Sequence, residues 1–301
     1  MSTMWVTSGR PGRQHLGRRR WAPGKARVTN DMGPSREPVE IDTTVAHAAR
    51  VYDYMLGGTT HFAADREASH AAATLMPGGH EGVSAGLVAN RAFLGRAMRY
   101  LAADAGIRQF LDVGTGIPTG DNVHEVAQRY APDARVVYVD YDPIVLAHAH
   151  QLLQTSDEGV TTYLQEDLRR PDKVLAHAAE TLDFDQPVAV VLVAILHFFP
   201  DEEDPYGIVS RLVEAMPSGS YLVVSHLASD VLDLAATYER LNQATQETFV
   251  LRSRPQVAKF LDGLELVEPG VVLVDEWRQE AGHVPYDGIM LPLYGAVGRK
   301  P

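Results

Sequence analysis

The chain of 301 residues is 45% hydrophobic, contains no cysteine and carries a formal net charge of -12. This size can bury one large core or two small ones, whereas the longest apolar run, residues 188–196, is far shorter than the roughly 20 residues of a membrane-spanning helix. The lack of cysteine excludes disulfides, thiolate zinc sites and cysteine nucleophiles, and it favours a globular protein of the reducing cytoplasm.

The charge is distributed unevenly along the chain. Residues 1–38 contain eight Arg or Lys residues against two acidic ones, and they are rich in Gly and Pro without a periodic apolar face. We expect residues 1–39 to form a disordered basic tail, with an arm for nucleic acid or a membrane surface as the alternative. The acidic remainder argues against nucleic acid as the main partner, because phosphate contacts need clustered cations.

Three helices are predicted before the first strand. Residues 42–44 offer N-cap chemistry for an amphipathic helix over 45–56, which the glycine pair that follows would end. Two further helices are predicted over about 64–75 and 83–105, the last with a buried stripe at helical spacing. Residues 40–106 are therefore expected to form an N-terminal helical cap.

Beyond residue 107, short β-branched runs alternate with helical segments. Five of these runs predict parallel strands at 109–113, 135–140, 161–164, 188–194 and 221–225. Helical segments are expected near 121–130, 143–153, 171–180, 203–215, 229–247 and 255–261. Two more strand-like stretches, 264–274 and 289–298, could close the sheet as an antiparallel pair. The pattern predicts an α/β domain over residues 107–301, with a doubly wound, mostly parallel, seven-stranded Rossmann-like sheet.

The turn after the first predicted strand has the composition of a nucleotide-cofactor site. Gly114, Gly116 and Gly120 would let the backbone pass close to a ligand. A dinucleotide fingerprint has its third glycine at the sixth position, where this chain has Thr119. Asp112 would oppose a diphosphate but favour the ammonium and sulfonium groups of S-adenosylmethionine. The turn therefore favours S-adenosylmethionine over a nicotinamide dinucleotide.

An acidic residue ends the second predicted strand. The carboxylate of Asp140 could accept hydrogen bonds from both hydroxyls of an adenosine ribose. The alternative is that the glycines form only a tight turn and that Asp112 and Asp140 are helix N-caps.

The order and spacing of these features resemble class I S-adenosylmethionine-dependent methyltransferases. Residues 110–120, 136–146 and 165–168 resemble the first three motifs of that class, and the resemblance covers roughly 105–300. It implies a cofactor site built from Asp112, Gly114, Thr115, Gly116, Asp140, Tyr141, Asp167, Leu168 and Ala194.

The resemblance also implies a role for individual members of this set. Gly114 and Gly116 would lie under the methionine part, and Asp140 would hold the ribose. Tyr141 would flank the adenine, while Asp167 would approach the adenine amine with Leu168 beside it.

The predicted cap carries a narrower resemblance. Residues 50–58 and 61–66 resemble a bacterial family called S-adenosyl methyltransferase, whose substrate is not known. The cap would then cover the open edge of the site, with Tyr54 and Arg91 as candidates for contact with the cofactor. Further candidates to face the methionine or the acceptor are Asp65, Arg66 and Asn90. The alternative for all of them is an ordinary helix surface.

A histidine follows the fourth predicted strand. Residues 196–203, which include His197, are similar to the L-H-x-W-x-D-E stretch of small-molecule O-methyltransferases, with Phe199 in the place of tryptophan. That resemblance implies a general-base role for His197, the single catalytic candidate, and a packed, pocket-lining role is the alternative.

No metal site is predicted. His148 and His150 lie two apart on a helix and point in different directions, and acidic residues 201–204 are typical of a solvated helix start. The sequence favours methyl transfer from S-adenosylmethionine to a small-molecule acceptor. A non-catalytic regulator that binds S-adenosylmethionine is the first alternative, and an NAD(P)-dependent oxidoreductase is the second. The acceptor and the oligomeric state do not follow from the sequence.

Overall fold

The computed structural model describes residues 25–28, 39–118, 120–145, 158–244 and 248–301. Thr119, His148, His150 and most of the basic tail lie outside the described residues. Strand β1 (Lys25–Val28) falls inside the stretch for which disorder was expected, and it pairs antiparallel with β2 (Val39–Asp42). None of the described helices is long and apolar enough to cross a membrane.

Three helices precede the main sheet, as the sequence predicts. They are α1 (Ala48–Met55), α2 (Ala63–Thr74) and α3 (Gly79–Arg99), and α3 continues as a π-helical turn over Tyr100–Asp104. The stripe expected on α3 is buried at Leu94 and Met98.

A buried carboxylate joins the first two helices. Asp65 accepts hydrogen bonds from Arg50 Nε at 2.9 Å and from the backbone nitrogens of His47 and Phe62 at 2.9 and 2.7 Å. The Arg50 guanidinium is itself buried and donates to the carbonyl of Val45 at 2.5 Å. Because both charges are paired and hydrogen-bonded, their burial fixes how the start of α1 meets the start of α2.

Helix α3 begins four residues before its predicted start, in a glycine-rich segment that sequence rules treat as helix-breaking. A methyl group on Gly82 would collide with the carbonyl oxygen of Ile289, and one on Gly86 with that of Leu291. Leu291 donates its backbone N–H to Gly82 O at 2.9 Å. The glycines therefore allow α3 to pack closely against the backbone of residues 289–291.

The main sheet has eight strands in the order β5-β4-β3-β6-β7-β10-β8, with β9 also paired to β10. The strands are β3 (Gln109–Val113), β4 (Arg135–Asp140), β5 (Val160–Gln165), β6 (Ala189–Val193), β7 (Tyr221–Leu227), β8 (Glu265–Leu266), β9 (Val272–Leu273) and β10 (Leu293–Arg299). Strands β3 to β7 pair in parallel, and β10 runs antiparallel to its three neighbours. The predicted doubly wound, mostly parallel Rossmann-like sheet is confirmed.

The eighth strand arises where the sequence predicts one strand over 264–274. Pro269 lacks a backbone N–H, and Gly270 has a φ of 86°, so pairing stops there. The stretch divides into the two short strands β8 and β9, which both pair with β10.

Five more helices that lie within the described residues connect the strands or follow them. They are α4 (Val123–Tyr130), α5 (Pro171–Ala178), α6 (Pro205–Ala215), α7 (Ala235–Ala244) and α8 (Arg254–Ala258). Residues 143–145 begin the helix predicted over 143–153, and the rest of that helix lies outside the described residues.

The two faces of the sheet pack against different layers. Phe110 and Val136 belong to a core shared with α3 and α4, whereas Leu111 and Val137 belong to one shared with α5 and α6. Adjacent residues thus point to opposite, fully covered faces, as in a parallel sheet with helices on both sides. The strand order reverses between β3 and β6, so a ligand is expected beyond the carboxyl end of β3.

Candidate cofactor site at the switch point of the sheet

The turn after β3 lies against the ends of both neighbouring strands. Gly114 has a φ of 77° and donates its N–H to Val139 O on β4 at 2.8 Å. A Cβ on Gly114 would stand 2.5 Å from Cγ1 of Ile195, which follows β6. Only glycine fits this positive φ and this spacing without strain. The turn after β3, the end of β4 and the loop after β6 are therefore in contact.

The acid that ends β4 is held by backbone N–H groups. Gly116 donates its N–H to Asp140 Oδ2 at 3.0 Å, and Asp142 donates its N–H to Oδ1 at 3.0 Å. Asp140 is 8% exposed, and burial raises the pKa of its carboxyl group. Each carboxylate oxygen can accept a second hydrogen bond, so the group is fixed in orientation and still able to bind two hydroxyls.

A second buried acid, Asp112 on β3, lies two residues before Gly114. The residue is 7% exposed, and burial raises its pKa to about 7, with Arg91 lowering it and Asp140 raising it. A positive ligand beside the carboxylate would favour its ionised form. A buried carboxyl group at this position fits a sulfonium or ammonium group and does not fit a diphosphate.

One cap residue reaches the glycine turn. Arg91 on α3 donates from Nη2 to the carbonyl oxygen of Gly120 at 2.8 Å. Within the turn, the Thr115 hydroxyl donates to the carbonyl oxygen of Asp112 at 3.2 Å. Arg91 therefore lies beside the glycine turn, and its contact with the cofactor stays a prediction.

The other cap candidates lie in different surroundings. The Tyr54 hydroxyl is 2.9 Å from His70 Nε2, and its ring contacts the rings of cap histidines. Asn90 is buried and donates to the Tyr52 hydroxyl at 3.3 Å. Arg66 is exposed on α2, and Asp65 belongs to the buried junction of the cap. The hydrogen bonds of Tyr54, Asn90 and Asp65 thus lie within the cap, and Arg66 is exposed to solvent.

The predicted adenine side lies where β4 and β5 end. Tyr141 follows Asp140 directly and is 56% exposed. Asp167 accepts a hydrogen bond from Arg169 N at 2.9 Å, and the neighbouring Leu168 is buried. Because Asp140 and Gln165 are register partners, these residues lie along one edge of the sheet.

The residue after β6 has a strained backbone. Ala194 has a φ of 57°, which is unusual for a residue other than glycine. Its N–H donates to Ser225 Oγ on β7 at 3.0 Å. Strain of this kind persists only where surrounding contacts enforce it, and it is frequent at ligand sites.

His197 lies in an aromatic cluster beyond β6. Its ring centroid is 4.5 Å from that of Phe198 and 6.0 Å from that of Phe249. The residue is 6% exposed, and burial, followed by His226 and Arg252, lowers its pKa well below the ordinary value. The Nδ1 atom has no hydrogen-bond partner among the described residues. The imidazole is therefore neutral near pH 7.

A buried arginine that no sequence pattern marks holds this loop in place. Arg252 donates from Nη1 to Leu196 O at 3.2 Å and to His226 Nε2 at 2.9 Å. Its Nη2 donates to Phe199 O at 2.9 Å and to Asp201 Oδ1 at 2.5 Å. Arg252 thus links the loop after β6 to His226 on β7.

His47 and Asp142 form a second contact between distant segments that the sequence does not predict. His47 Nε2 contacts Asp142 Oδ2, so the segment before α1 meets the loop after β4. The position of Asp142, next but one after Asp140 and just before Pro143, suggests an N-cap, but nothing in the sequence points to His47. In the part of the chain that the structure describes, no group of three or more histidine or acidic side chains is arranged to hold a metal ion.

Comparison with known proteins identifies the family. Residues 34–301 match the model of a family described as S-adenosyl methyltransferase, and this range includes the whole cap and the whole main sheet. The chain belongs to this family. It is an S-adenosylmethionine-dependent methyltransferase, and S-adenosylmethionine is its cofactor. The family match therefore favours the methyltransferase over the two alternatives, an NAD(P)-dependent oxidoreductase and a non-catalytic regulator.

Two solved structures resemble this methyltransferase over most of their length. A DUF574 family protein from Streptomyces avermitilis MA-4680 is 43% identical, with 86% of this chain and 99% of that chain covered and a TM-score of 0.80. A protein from Thermobifida fusca YX assigned as a methyltransferase is 35% identical, with coverages of 86% and 96% and a TM-score of 0.78. No curated protein matches the sequence.

Proposed function

We propose that this methyltransferase transfers the methyl group to a small-molecule acceptor that binds between the loop after β6 and the helical cap. The observation that carries the proposal is the contact between Ile195 and Gly114, which brings the His197 loop against the cofactor turn. The aromatic cluster of that loop would provide an apolar wall for a small ligand. The net charge of -12 disfavours nucleic acid as the acceptor.

The residues at the carboxyl ends of β3 and β4 have distinct proposed roles. When bound, S-adenosylmethionine supplies a sulfonium methyl group that is already activated for displacement. The Asp112 carboxylate would neutralise the positive ligand, while Asp140 would accept hydrogen bonds from the ribose hydroxyls. Gly116 would leave room for the methionine part, because no described atom lies within 4 Å of its missing Cβ. Tyr141 and Asp167 would flank the adenine.

His197 is proposed to line the acceptor side of the pocket. A general base works best when its pKa lies near the working pH, and burial moves the pKa of His197 far below that value. A neutral imidazole with a buried, unpartnered Nδ1 can still orient an acceptor hydroxyl or amine by a hydrogen bond. Holding the acceptor at attack distance would then contribute most of the rate.

The proposed place of the reaction is the cytoplasm. A chain with no cysteine gains nothing from an oxidising compartment, and this supports a reducing environment.

Label transfer into fractionated extract tests the small-molecule acceptor. The full-length chain is incubated with methyl-labelled S-adenosylmethionine and a bacterial cell extract that dialysis has divided into small molecules and macromolecules. We expect transfer of label to the dialysable fraction with wild type and strongly reduced transfer with Asp140→Ala. Label that enters only protein or nucleic acid would overturn the proposal.

A further inference from the structure

A continuous set of contacts connects the buried Arg50–Asp65 pair of the cap to the glycine turn after β3. On the cap side, His47 donates its backbone N–H to Asp65 Oδ1 at 2.9 Å. Its ring extends in the other direction, where Nε2 contacts Asp142 Oδ2. One residue therefore contacts both the carboxylate that orders the cap and the loop that follows β4.

The same set of contacts continues to the acid at the end of β4. Asp142 donates its N–H to Asp140 Oδ1 at 3.0 Å, and Asp140 Oδ2 accepts from Gly116 N at 3.0 Å. The other oxygen of Asp142 accepts from Ile144 N at 2.7 Å. Asp142 is thus held by His47 on one side and by the following helical turn on the other, and its backbone orients the Asp140 carboxylate.

The ionised state of Asp142 supports a strong contact between Asp142 and His47. Burial alone would raise the pKa of Asp142, but the hydrogen bond and charge of His47, with a contribution from Arg50, lower it below the ordinary value. Asp142 is therefore an anion at neutral pH, and a hydrogen bond to an ionised acceptor is about twice as strong as a neutral one. Both residues of the pair are also largely shielded from water.

We propose that His47 is a positioning residue of the cofactor site, which transmits the placement of the cap to the Asp140 carboxylate through Asp142. The cap and the adenosine end of the site then form one coupled unit, and loss of the His47 ring loosens the group that selects a ribose. The inference rests on the proposed contact between Asp140 and the ribose.

The inference predicts a loss of ribose selectivity in addition to a loss of affinity. Calorimetry compares S-adenosylhomocysteine with its 2′-deoxyribose analogue on wild type, His47→Ala and His47→Gln. We expect wild type to prefer the natural ligand about tenfold, His47→Ala to lose most of that preference, and His47→Gln, which keeps a donor near the Nε2 position, to recover it.

His177→Ala is the matched control. His177 also pairs with a carboxylate, through an Nδ1 to Glu166 Oε1 distance of 2.8 Å, but it lies on α5. We expect this variant to keep the affinity and the ribose preference of wild type.

The outcomes separate the inference from its premise. If wild type shows no preference between the two ligands, the assignment of Asp140 to the ribose is wrong. If wild type shows the preference and His47→Ala retains it in full, the assignment stands and the coupling through His47 is overturned. If His47→Ala fails to fold, the same comparison with Asp142→Asn decides, because full ribose preference in that variant would equally overturn the coupling.

Discussion

Gly116 donates its backbone N–H to Asp140 Oδ2 at 3.0 Å, which joins the turn after β3 to the acid that ends β4. The bond orients the carboxylate, and the open space beside Gly116 gives a ligand access to the turn. For a cofactor that binds here as proposed, the carboxylate is thus oriented before binding, so that less ordering is required when the cofactor arrives.

Substitution of Gly116 by alanine tests the space beside the turn. Gly116 and Gly57 have φ values of 64° and 76°, and no described atom lies within 4 Å of either missing Cβ. Both alanine variants should therefore lose similar stability, about 1–2 kcal/mol from backbone strain. Only Gly116→Ala should also lose cofactor affinity, by about tenfold or more in calorimetry with S-adenosylhomocysteine. Equal affinities of the two variants would refute the assignment of this space to the cofactor.

Asp112 should make the stability of the ligand-free protein depend on pH. Its folded pKa of about 7 lies above its unfolded value, so the folded state binds the proton more tightly. The stabilisation is fully present below the unfolded pKa and is lost as the pH rises through about 7. Asp112→Asn should therefore be more stable than wild type at pH 8, and denaturant unfolding at several pH values measures the difference. A less stable variant at pH 8 would count against the raised pKa.

The same variant should respond differently to the cofactor. A cationic ligand prefers ionised Asp112, so wild-type affinity for S-adenosylmethionine should rise between pH 6 and 8, by at most about tenfold per pH unit. In Asp112→Asn this pH dependence should be largely absent and the affinity lower. Calorimetry at matched pH values tests both statements, and parallel pH profiles would contradict them.

Arg252→Met should destabilise the fold. The substitution removes Arg252 as the donor to the buried carbonyl of Phe199 and as one of two donors to the carbonyl of Leu196, which should cost roughly 3 kcal/mol. Arg299→Met is the control, because Arg299 forms an exposed pair with Glu265 and its loss should cost about 0.5 kcal/mol or less. Urea unfolding compares the two, and equal losses would show that the buried contacts contribute little.

His197→Ala should separate cofactor binding from turnover. We expect unchanged affinity for S-adenosylhomocysteine and reduced label transfer, with a pH profile parallel to that of wild type because the imidazole is already neutral. Loss of one limb of the pH profile in the variant would instead support the general-base role that the sequence resemblance implies.

The features that could be predicted from sequence are local ones. The glycine turn, Asp112 and Asp140 lie at or next to strand ends, and the positions of the parallel strands follow from short β-branched runs separated by helical segments. The start of α3 could not be predicted, because the contact of Gly82 with Leu291 becomes visible only in the folded chain. The bonds of Arg252 and the contact of His47 with Asp142 likewise join distant segments for which spacing rules provide no signal.

The affinity of Asp140→Ala for S-adenosylhomocysteine decides whether Asp140 holds the ribose of the cofactor. Calorimetry on the purified full-length chain compares this variant with wild type and with Asp172→Ala, which removes an exposed acid paired with Arg211 on the surface. The ribose assignment predicts at least about tenfold weaker binding for Asp140→Ala, about 1.4 kcal/mol, and wild-type affinity for Asp172→Ala. Wild-type affinity in Asp140→Ala would contradict the assignment of the cofactor to this corner of the sheet.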